Sequence, residues 1–162
     1  MRVIFLDFDG VLNSNQFFES QEPFDRSLLD LHEEAISELD PKAVARLKGL
    51  LDKTGAHIVL STSWRMLYNF EDIKVYLREA GLLTSQVGRI IGATPRFYDE
   101  PRGSEIKAWL DNTSEEVEAY VIFDDNPDML PDQEPFFVKT SMKTGITGAD
   151  VEKAQKILGF GG

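Results

Sequence analysis

The segment that most constrains the fold is a short apolar run at the start of the chain. Residues 3–6 read Val-Ile-Phe-Leu, and Asp7, Asp9 and Gly10 follow. An apolar run of this length, bounded by turn residues, is typical of a central strand in a parallel sheet. Ligands of such sheets bind beyond the carboxyl ends of the strands. The segment therefore predicts an α/β fold with two carboxylates at the functional edge of its sheet.

The two carboxylates of this segment are expected to face one small volume. Strand side chains alternate, so residues two apart share a face, and Gly10 permits the positive φ of a sharp turn. Asp7 and Asp9 would repel each other there, and a divalent cation or a shared proton relieves such repulsion. The alternative is a structural turn in which Asp7 is a cap and Asp9-Gly10 an ordinary tight turn.

A second apolar run ends in acids in the same way. Residues 121–123 read Val-Ile-Phe and lead into Asp124 and Asp125, with Asp128 as a weaker third candidate. Carboxylates from two strand ends supply the oxygen ligands that Mg²⁺ prefers. We therefore predict a Mg²⁺ site between Asp7 and this acidic pair. The pattern leaves open whether Asp124 or Asp125 is the direct ligand.

A hydroxyl-rich segment follows the second predicted strand, residues 57–60. The order strand, connection, helix and strand favours a right-handed parallel crossover, which brings the end of this strand beside the Asp7 loop. Ser61 is the candidate there to hydrogen-bond a phosphoryl oxygen, and Thr62 and Ser63 are the alternatives. A helix N-cap is the structural interpretation of the same serine.

Three cations in this part of the chain are candidates for binding phosphate: Arg65, Arg102 and Lys107. Guanidinium groups match phosphate geometry better than ammonium groups do. Arg102, near the start of a predicted helix, is therefore preferred, with Lys107 as the alternative. Each of them could instead be an ordinary solvated surface charge.

Composition limits the classes of protein. With 162 residues, 42% of them hydrophobic, the chain is expected to form one domain over residues 1–162. The absence of cysteine excludes disulfides and thiol nucleophiles. The net charge of -11 opposes binding to nucleic acid through a broad basic surface. It does not oppose the binding of a phosphorylated end by a local basic patch around Arg65, Arg96, Arg102 and Lys107. No apolar run is long enough to cross a bilayer and no signal peptide is evident, so we expect a cytoplasmic protein without membrane association.

The remaining pattern predicts the scaffold. Asp40-Pro41 reads as an N-cap followed by proline at the first helical position. Residues 13–40 are polar and acidic with scattered aromatic side chains, and we expect either a small cap-like insertion over the site or a loop with one docked helix. The predicted helices cover about residues 26–39, 41–54, 70–80, 104–110 and 148–158. A short strand and turn are predicted over residues 87–95, and a further strand over 136–140.

Four segments together resemble the motifs of the haloacid dehalogenase-like (HAD) phosphohydrolases. They are Asp7-Phe8-Asp9-Gly10-Val11, Ser61, Arg102 and the pair Asp124-Asp125. The resemblance implies a Rossmann-like three-layer sandwich with a central parallel sheet and a minimal cap. It also implies Mg²⁺ as cofactor, Asp7 as nucleophile and metal ligand, and Asp9 as general acid and base whose main-chain carbonyl contacts the metal. Ser61 and the cation at Arg102 or Lys107 would bind the phosphate. The acidic pair would complete the metal site.

Two longer runs are similar to the HAD domains of multi-part (Swiss Army Knife) RNA repair proteins. They are Ser61-Thr62-Ser63-Trp64-Arg65 and Arg102-Gly103-x-Glu105-Ile106. This likeness implies a phosphatase with an open site that acts on a polynucleotide end, such as a 3′-phosphate. The alternatives are a phosphatase of small nucleotides or sugars and a HAD-fold binding domain without turnover. The oligomeric state stays open.

Overall fold

A five-stranded parallel sheet forms the centre of the computed structural model, which describes residues 1–161. The strands are β1 (Arg2–Leu6), β2 (His57–Leu60), β3 (Ile90–Ala93), β4 (Ala119–Asp124) and β5 (Phe137–Lys139). Their order across the sheet is β3-β2-β1-β4-β5, so β1 lies at the centre and pairs in parallel with β2 and β4. The predicted α/β fold with a central parallel sheet is confirmed.

Helices and loops connect the strands. The helices are α1 (Asn15–Ser20), α2 (Leu31–Ser37), α3 (Pro41–Thr54), α4 (Phe70–Ala80), α5 (Thr84–Val87), α6 (Arg102–Asn112) and α7 (Gly148–Ile157). Short 3-10 turns cover Arg26–Leu28, Ser63–Met66 and Pro131–Phe136. None of the helices within residues 1–161 combines the length and the apolar character needed to span a bilayer.

Each face of the sheet carries a helical layer, because side chains alternate along the strands. Ile4 and Leu6 of β1 belong to one core, which also contains buried residues of α3, α4 and α7. Val3 and Phe5 point to the other face, where they share a second core with Ile106 of α6. The chain thus forms the predicted Rossmann-like three-layer sandwich.

The helix α3 begins and ends where its sequence predicts. Asp40 accepts a hydrogen bond from the backbone N–H of Lys42, and Pro41 occupies the first helical turn. The helix ends at Gly55, which adopts a φ of 63° that disfavours residues with a Cβ. Val44, Leu47, Leu50 and Leu51 on one side of the helix are buried in the core.

The segment before α3 differs from the predicted single helix over residues 26–39. A 3-10 turn covers Arg26–Leu28, and α2 begins only at Leu31. Asp30 explains the break, because its side chain accepts a hydrogen bond from the backbone N–H of Glu33 and caps a new helix.

The helix α1 has no counterpart among the predicted elements. Ser14 starts it by accepting a hydrogen bond from the backbone N–H of Phe17. Residues 13–40 therefore contain two short helices and a 3-10 turn. Their role as a cap remains a prediction.

Further along the chain, one strand agrees with the prediction and one helix boundary differs from it. The strand β3 covers Ile90–Ala93, within the short strand and turn predicted over residues 87–95. The helix α6 begins at Arg102, two residues earlier than predicted. Asp128 favours the earlier start, because its carboxylate accepts a hydrogen bond of 3.1 Å from the backbone N–H of Arg102.

Candidate active site

The carboxyl ends of β1 and β4 bring three carboxylates together. Leu6 pairs with Phe123 in parallel register, so Asp7 and Asp124 lie side by side where the strands end. The backbone N–H of Asp7 donates a hydrogen bond of 3.1 Å to the carbonyl of Phe123. Carboxylate oxygens of Asp7, Asp124 and Asp125 lie within 4.8 Å of one another. These three residues are referred to below as the acidic cluster.

Gly10 leaves the space that the Asp125 carboxylate occupies in the acidic cluster. Its φ is 79°, and a Cβ at this position would lie 2.5 Å from Cγ of Asp125. The carbonyl of Gly10 accepts a hydrogen bond of 2.6 Å from the hydroxyl of Thr140, which holds the turn in place. A side chain at position 10 would therefore displace Asp125 as well as strain the backbone.

Arg102 is the cation nearest the acidic cluster. Its Nη1 lies 3.4 Å from Oδ1 of Asp7 and 3.6 Å from Oδ2 of Asp124, and it also donates to the carbonyl of Ser61. The alternative cation, Lys107, forms an ion pair of 2.5 Å with Asp111 on an exposed part of α6. Of the two candidates, Arg102 is brought to the cluster and Lys107 is not.

A family model that describes the HAD domain in Swiss Army Knife RNA repair proteins matches residues 3–151. The chain belongs to this family. The predicted resemblance is therefore confirmed, and the match includes the acidic cluster and Arg102. Comparisons with curated proteins and with solved structures gave no significant match.

In this HAD domain, Asp9 stands apart from the acidic cluster. Its Oδ1 accepts two hydrogen bonds, one of 2.9 Å from Nδ2 of Asn13 and one of 3.1 Å from Nε1 of Trp64. Asn13 in turn accepts a hydrogen bond of 2.9 Å from the backbone N–H of Gly10. Asp9 is exposed, whereas Trp64 is buried with its ring edge-on to Phe8. The Asp9 carboxylate is thus held at the solvent side of the site.

Ser61 and Thr62, two of the hydroxyl candidates, have different surroundings in the HAD domain. The backbone N–H of Ser61 donates to the carbonyl of Leu6 over 2.9 Å, which ties the end of β2 to that of β1. The Ser61 hydroxyl is buried and has no hydrogen-bond partner among residues 1–161. The Thr62 hydroxyl accepts a hydrogen bond of 3.2 Å from the backbone N–H of Trp64 and caps a 3-10 turn. Ser61 therefore offers a hydroxyl for a ligand, and Thr62 has a structural partner.

Arg65, the other predicted phosphate-binding cation, is paired within the protein. Its Nη2 lies 3.1 Å from Oε1 of Glu105, and its Nη1 donates to the hydroxyl of Thr94 over 2.9 Å. Both partners of the ion pair are largely buried, with side-chain exposures of 14% and 8%. Burial lowers the pKa of Arg65, and the negative charge of Glu105 opposes that shift. Its positive charge is therefore already balanced.

Burial also controls protonation in the acidic cluster. It raises the pKa of Asp7, while the positive charge of Arg102 acts in the opposite direction. Burial and the neighbouring charge of Asp7 raise the pKa of Asp124 to about 8. In the absence of a bound cation, the cluster therefore retains a proton at neutral pH.

The donor set of the acidic cluster fits a hard divalent cation. Oδ2 of Asp124 is buried and has no hydrogen-bond partner within the described residues. The single charge of Arg102 cannot neutralise three ionised carboxylates. Mg²⁺ prefers oxygen ligands in octahedral geometry, which carboxylates and waters supply. Asp7, Asp124 and Asp125 therefore suit Mg²⁺, whereas the Asp9 side chain lies outside this cluster.

Several residues that support the site have no role in the sequence prediction. They are Asn13, Trp64, Thr94, Glu105 and Thr140. Asn13 follows Asp9 by four residues, a spacing that would permit a local side-chain contact. The contact of Trp64 with Asp9 spans 55 residues of sequence, and that of Thr140 with Gly10 spans 130. Contacts of that kind follow from the tertiary fold and leave no local pattern.

Proposed function

We propose that the protein is a Mg²⁺-dependent phosphohydrolase that cleaves phosphate monoesters through a phosphorylated Asp7. The supporting observation is the proximity of the Asp7 carboxylate to two further carboxylates and to the Arg102 guanidinium. A nucleophile, a cation site and a phosphate-binding cation thus occupy one small volume at the edge of the sheet.

Asp7, Asp124 and Asp125 would hold the metal, and the family resemblance adds the main-chain carbonyl of Asp9. When bound, Mg²⁺ would neutralise phosphate charge and reduce the repulsion between the two reacting anions. The Ser61 hydroxyl and the Arg102 guanidinium would bind the remaining phosphoryl oxygens.

In the first step, a carboxylate oxygen of Asp7 attacks phosphorus, and the bond from phosphorus to the ester oxygen breaks. Asp9 donates a proton to the departing oxygen, so the alcohol leaves neutral. The products of this step are the free alcohol, an acyl phosphate at Asp7 and an ionised Asp9.

In the second step, a water oxygen attacks the same phosphorus atom. Asp9 accepts a proton from this water, and the bond between phosphorus and the Asp7 oxygen breaks. Inorganic phosphate leaves, Asp7 returns as a carboxylate and Asp9 returns protonated, which restores the starting enzyme.

A polynucleotide end that carries a 3′-phosphate is the substrate we propose. The family is described by its occurrence in RNA repair proteins, and the exposure of Asp9 gives a large substrate access to the site. With a net charge of -11, the protein would grip such a substrate near its phosphorylated end and not along a broad basic surface.

Phosphate release from para-nitrophenyl phosphate and from a 3′-phosphorylated oligonucleotide tests this proposal. Each substrate is incubated with Mg²⁺ or with EDTA, and native protein is compared with Asp7→Asn. We expect release that requires Mg²⁺ and is lost in Asp7→Asn, with a higher kcat/KM for the oligonucleotide. Equal activity in EDTA, or full activity of Asp7→Asn, would contradict the mechanism, and a preference for small nucleotide or sugar phosphates would contradict the proposed substrate.

A further inference from the structure

An exposed loop with two aromatic side chains lies beside the Arg102 end of the site. This rim loop (residues 95–101) connects β3 to α6, which begins with Arg102. Tyr98 is 81% exposed and Phe97 is 37% exposed. The two rings thus present aromatic surface to solvent next to the helix that carries Arg102.

The rim loop is anchored to α6, the helix whose first residue is Arg102. The backbone N–H of Phe97 donates a hydrogen bond of 2.8 Å to Oε2 of Glu105, the same side chain that pairs with Arg65. Tyr98 precedes Arg102 by four residues, so at most about 14 Å of chain separates their Cα atoms. A substrate with its phosphate at Arg102 would therefore have its neighbouring groups within reach of Tyr98.

Arg96 gives the rim loop a positive charge beside its most exposed ring. Its guanidinium carbon lies 5.5 Å from the centroid of the Tyr98 ring, and Nη1 contacts Sδ of Met66. None of the ion pairs among residues 1–161 includes Arg96. The loop thus presents a π-face together with a cation that has no carboxylate partner within the described chain.

We propose that Tyr98 and Arg96 form a stacking surface for a base at the 3′-end of a single-stranded polynucleotide whose terminal phosphate enters the acidic cluster. This inference rests on the proposed phosphatase function and specifies how that site selects its substrate. A base supplies a π-face for Tyr98, and the phosphodiester beside it supplies negative charge for Arg96. A sugar phosphate has no aromatic base to stack on Tyr98.

In this arrangement the substrate is selected by stacking of its base on Tyr98, and not by the net charge of the rim loop. Asp99 and Glu100 follow Tyr98 directly, so the rim loop as a whole is not basic. Base stacking on aromatic side chains is tolerant of sequence and requires an unpaired base. The surface therefore favours single-stranded ends over blunt duplex ends.

Binding to Asp7→Asn protein with Mg²⁺ tests the surface without turnover. The probes are 3′-phosphorylated single-stranded RNA and DNA oligonucleotides, and matched strands that lack the last or the penultimate base. We expect Tyr98→Ala, added to Asp7→Asn, to weaken binding of the complete strands about tenfold or more. It should also abolish the preference for complete over abasic strands, whereas Tyr98→Trp should retain that preference.

Phe160→Ala is the matched control. The guanidinium carbon of Arg2 lies 4.6 Å from the centroid of the Phe160 ring, so these residues also form an arginine–aromatic pair. Arg2 is the first residue of β1, at the end of the strand away from the acidic cluster. We expect Phe160→Ala, added to Asp7→Asn, to bind the probes with the same affinity as Asp7→Asn alone. The Tyr98→Ala loss should also persist at higher salt, because stacking is not screened by ions as charge attraction is.

The proposal is overturned if Tyr98→Ala binds complete strands normally, or if it weakens complete and abasic strands equally. It is also overturned if the Asp7→Asn protein binds no single-stranded probe, or if Phe160→Ala causes the same selective loss. Failure of the proposed function looks different. In that case native protein releases no phosphate from any ester, while the dependence of binding on Tyr98 and on the base is still measurable.

Discussion

The indole N–H of Trp64 donates a hydrogen bond of 3.1 Å to Oδ1 of Asp9. Asn13 donates to the same oxygen over 2.9 Å, so both donors within the described residues engage Oδ1. Oδ2 therefore remains for proton transfer. In the proposed mechanism, Trp64 and Asn13 are positioning residues that orient the general acid towards the leaving oxygen.

Trp64→Phe is expected to impair proton donation while preserving the packing of the ring against Phe8. The loss in kcat should reach about tenfold for an alkyl phosphate, whose leaving oxygen needs a proton, and should be smaller for para-nitrophenyl phosphate, whose leaving group does not. Trp109→Phe is the control, because Trp109 packs edge-on to Phe5 in the other core. Equal losses for both esters would indicate a purely structural role for Trp64.

Removing Arg102 should weaken catalysis and strengthen metal binding at the same time. Arg102→Ala is expected to lower kcat about 10²–10³-fold, since a preorganised charge next to the phosphoryl group is lost. Mg²⁺ should bind more tightly, because a cation 3.4 Å from Asp7 has been removed. Titration calorimetry and steady-state kinetics measure the two effects.

Lys107→Ala serves as the comparison for Arg102→Ala, because its ammonium is paired with Asp111 on the surface. We expect kinetics and Mg²⁺ affinity close to those of native protein. A loss of activity in Lys107→Ala that matched the loss in Arg102→Ala would show that the wrong cation has been assigned to the phosphate.

The raised pKa of Asp124 predicts how the metal-free protein responds to pH. In the folded state the Asp124 carboxyl retains its proton up to about pH 8, whereas in the unfolded state it loses the proton near pH 3.8. Asp124 therefore stabilises the fold at low pH, and its contribution declines as the pH rises between those two values. Thermal unfolding in EDTA should therefore show a steeper fall in Tm over this range for native protein than for Asp124→Asn. If Tm fell equally with pH in both proteins, the raised pKa of Asp124 would be contradicted.

Mg²⁺ binding should show the complementary pH dependence. The cation requires ionised ligands, so its binding displaces the proton and its affinity should increase as pH rises towards about 8. Calorimetric titrations in buffers of different ionisation enthalpy report the released proton directly. Affinity that is independent of pH would argue against a buried, protonated cluster.

The buried pair of Arg65 and Glu105 should contribute to stability. Glu105→Gln removes the counter-charge of a largely buried guanidinium and should destabilise the fold by about 3–5 kcal/mol in chemical denaturation. Asp111→Asn, on the exposed part of the same helix, should change stability little because surface ion pairs contribute little. Similar effects of the two variants would show that the Arg65 pair is effectively solvated.

Strand ends were predictable from the sequence because two local signals coincide there. Apolar runs mark β1 and β4, and an acid directly after each run places Asp7 and Asp124 at one edge of a parallel sheet. The family motifs likewise follow short, contiguous patterns. Both kinds of signal depend on neighbours in sequence, so no tertiary information was needed.

The choice between Arg102 and Lys107 depended instead on where α6 begins. Five residues of helix separate them, which rotates Lys107 about 140° around the axis from Arg102. The start at Arg102 is fixed in part by Asp128, a residue on a different segment. The same limitation applies to the indole of Trp64, whose partner lies 55 residues away.

Detection of a phosphoryl group on Asp7 is the most direct test of the proposed chemistry. Native protein would be mixed with substrate and Mg²⁺, quenched rapidly in acid and digested, and the peptide that contains Asp7 analysed by mass spectrometry. We predict a single added phosphoryl group at Asp7, absent in EDTA and more abundant in Asp9→Asn, which lacks the base for the second step. Phosphate release without any modification of Asp7 would contradict the account, because water would then attack the substrate directly.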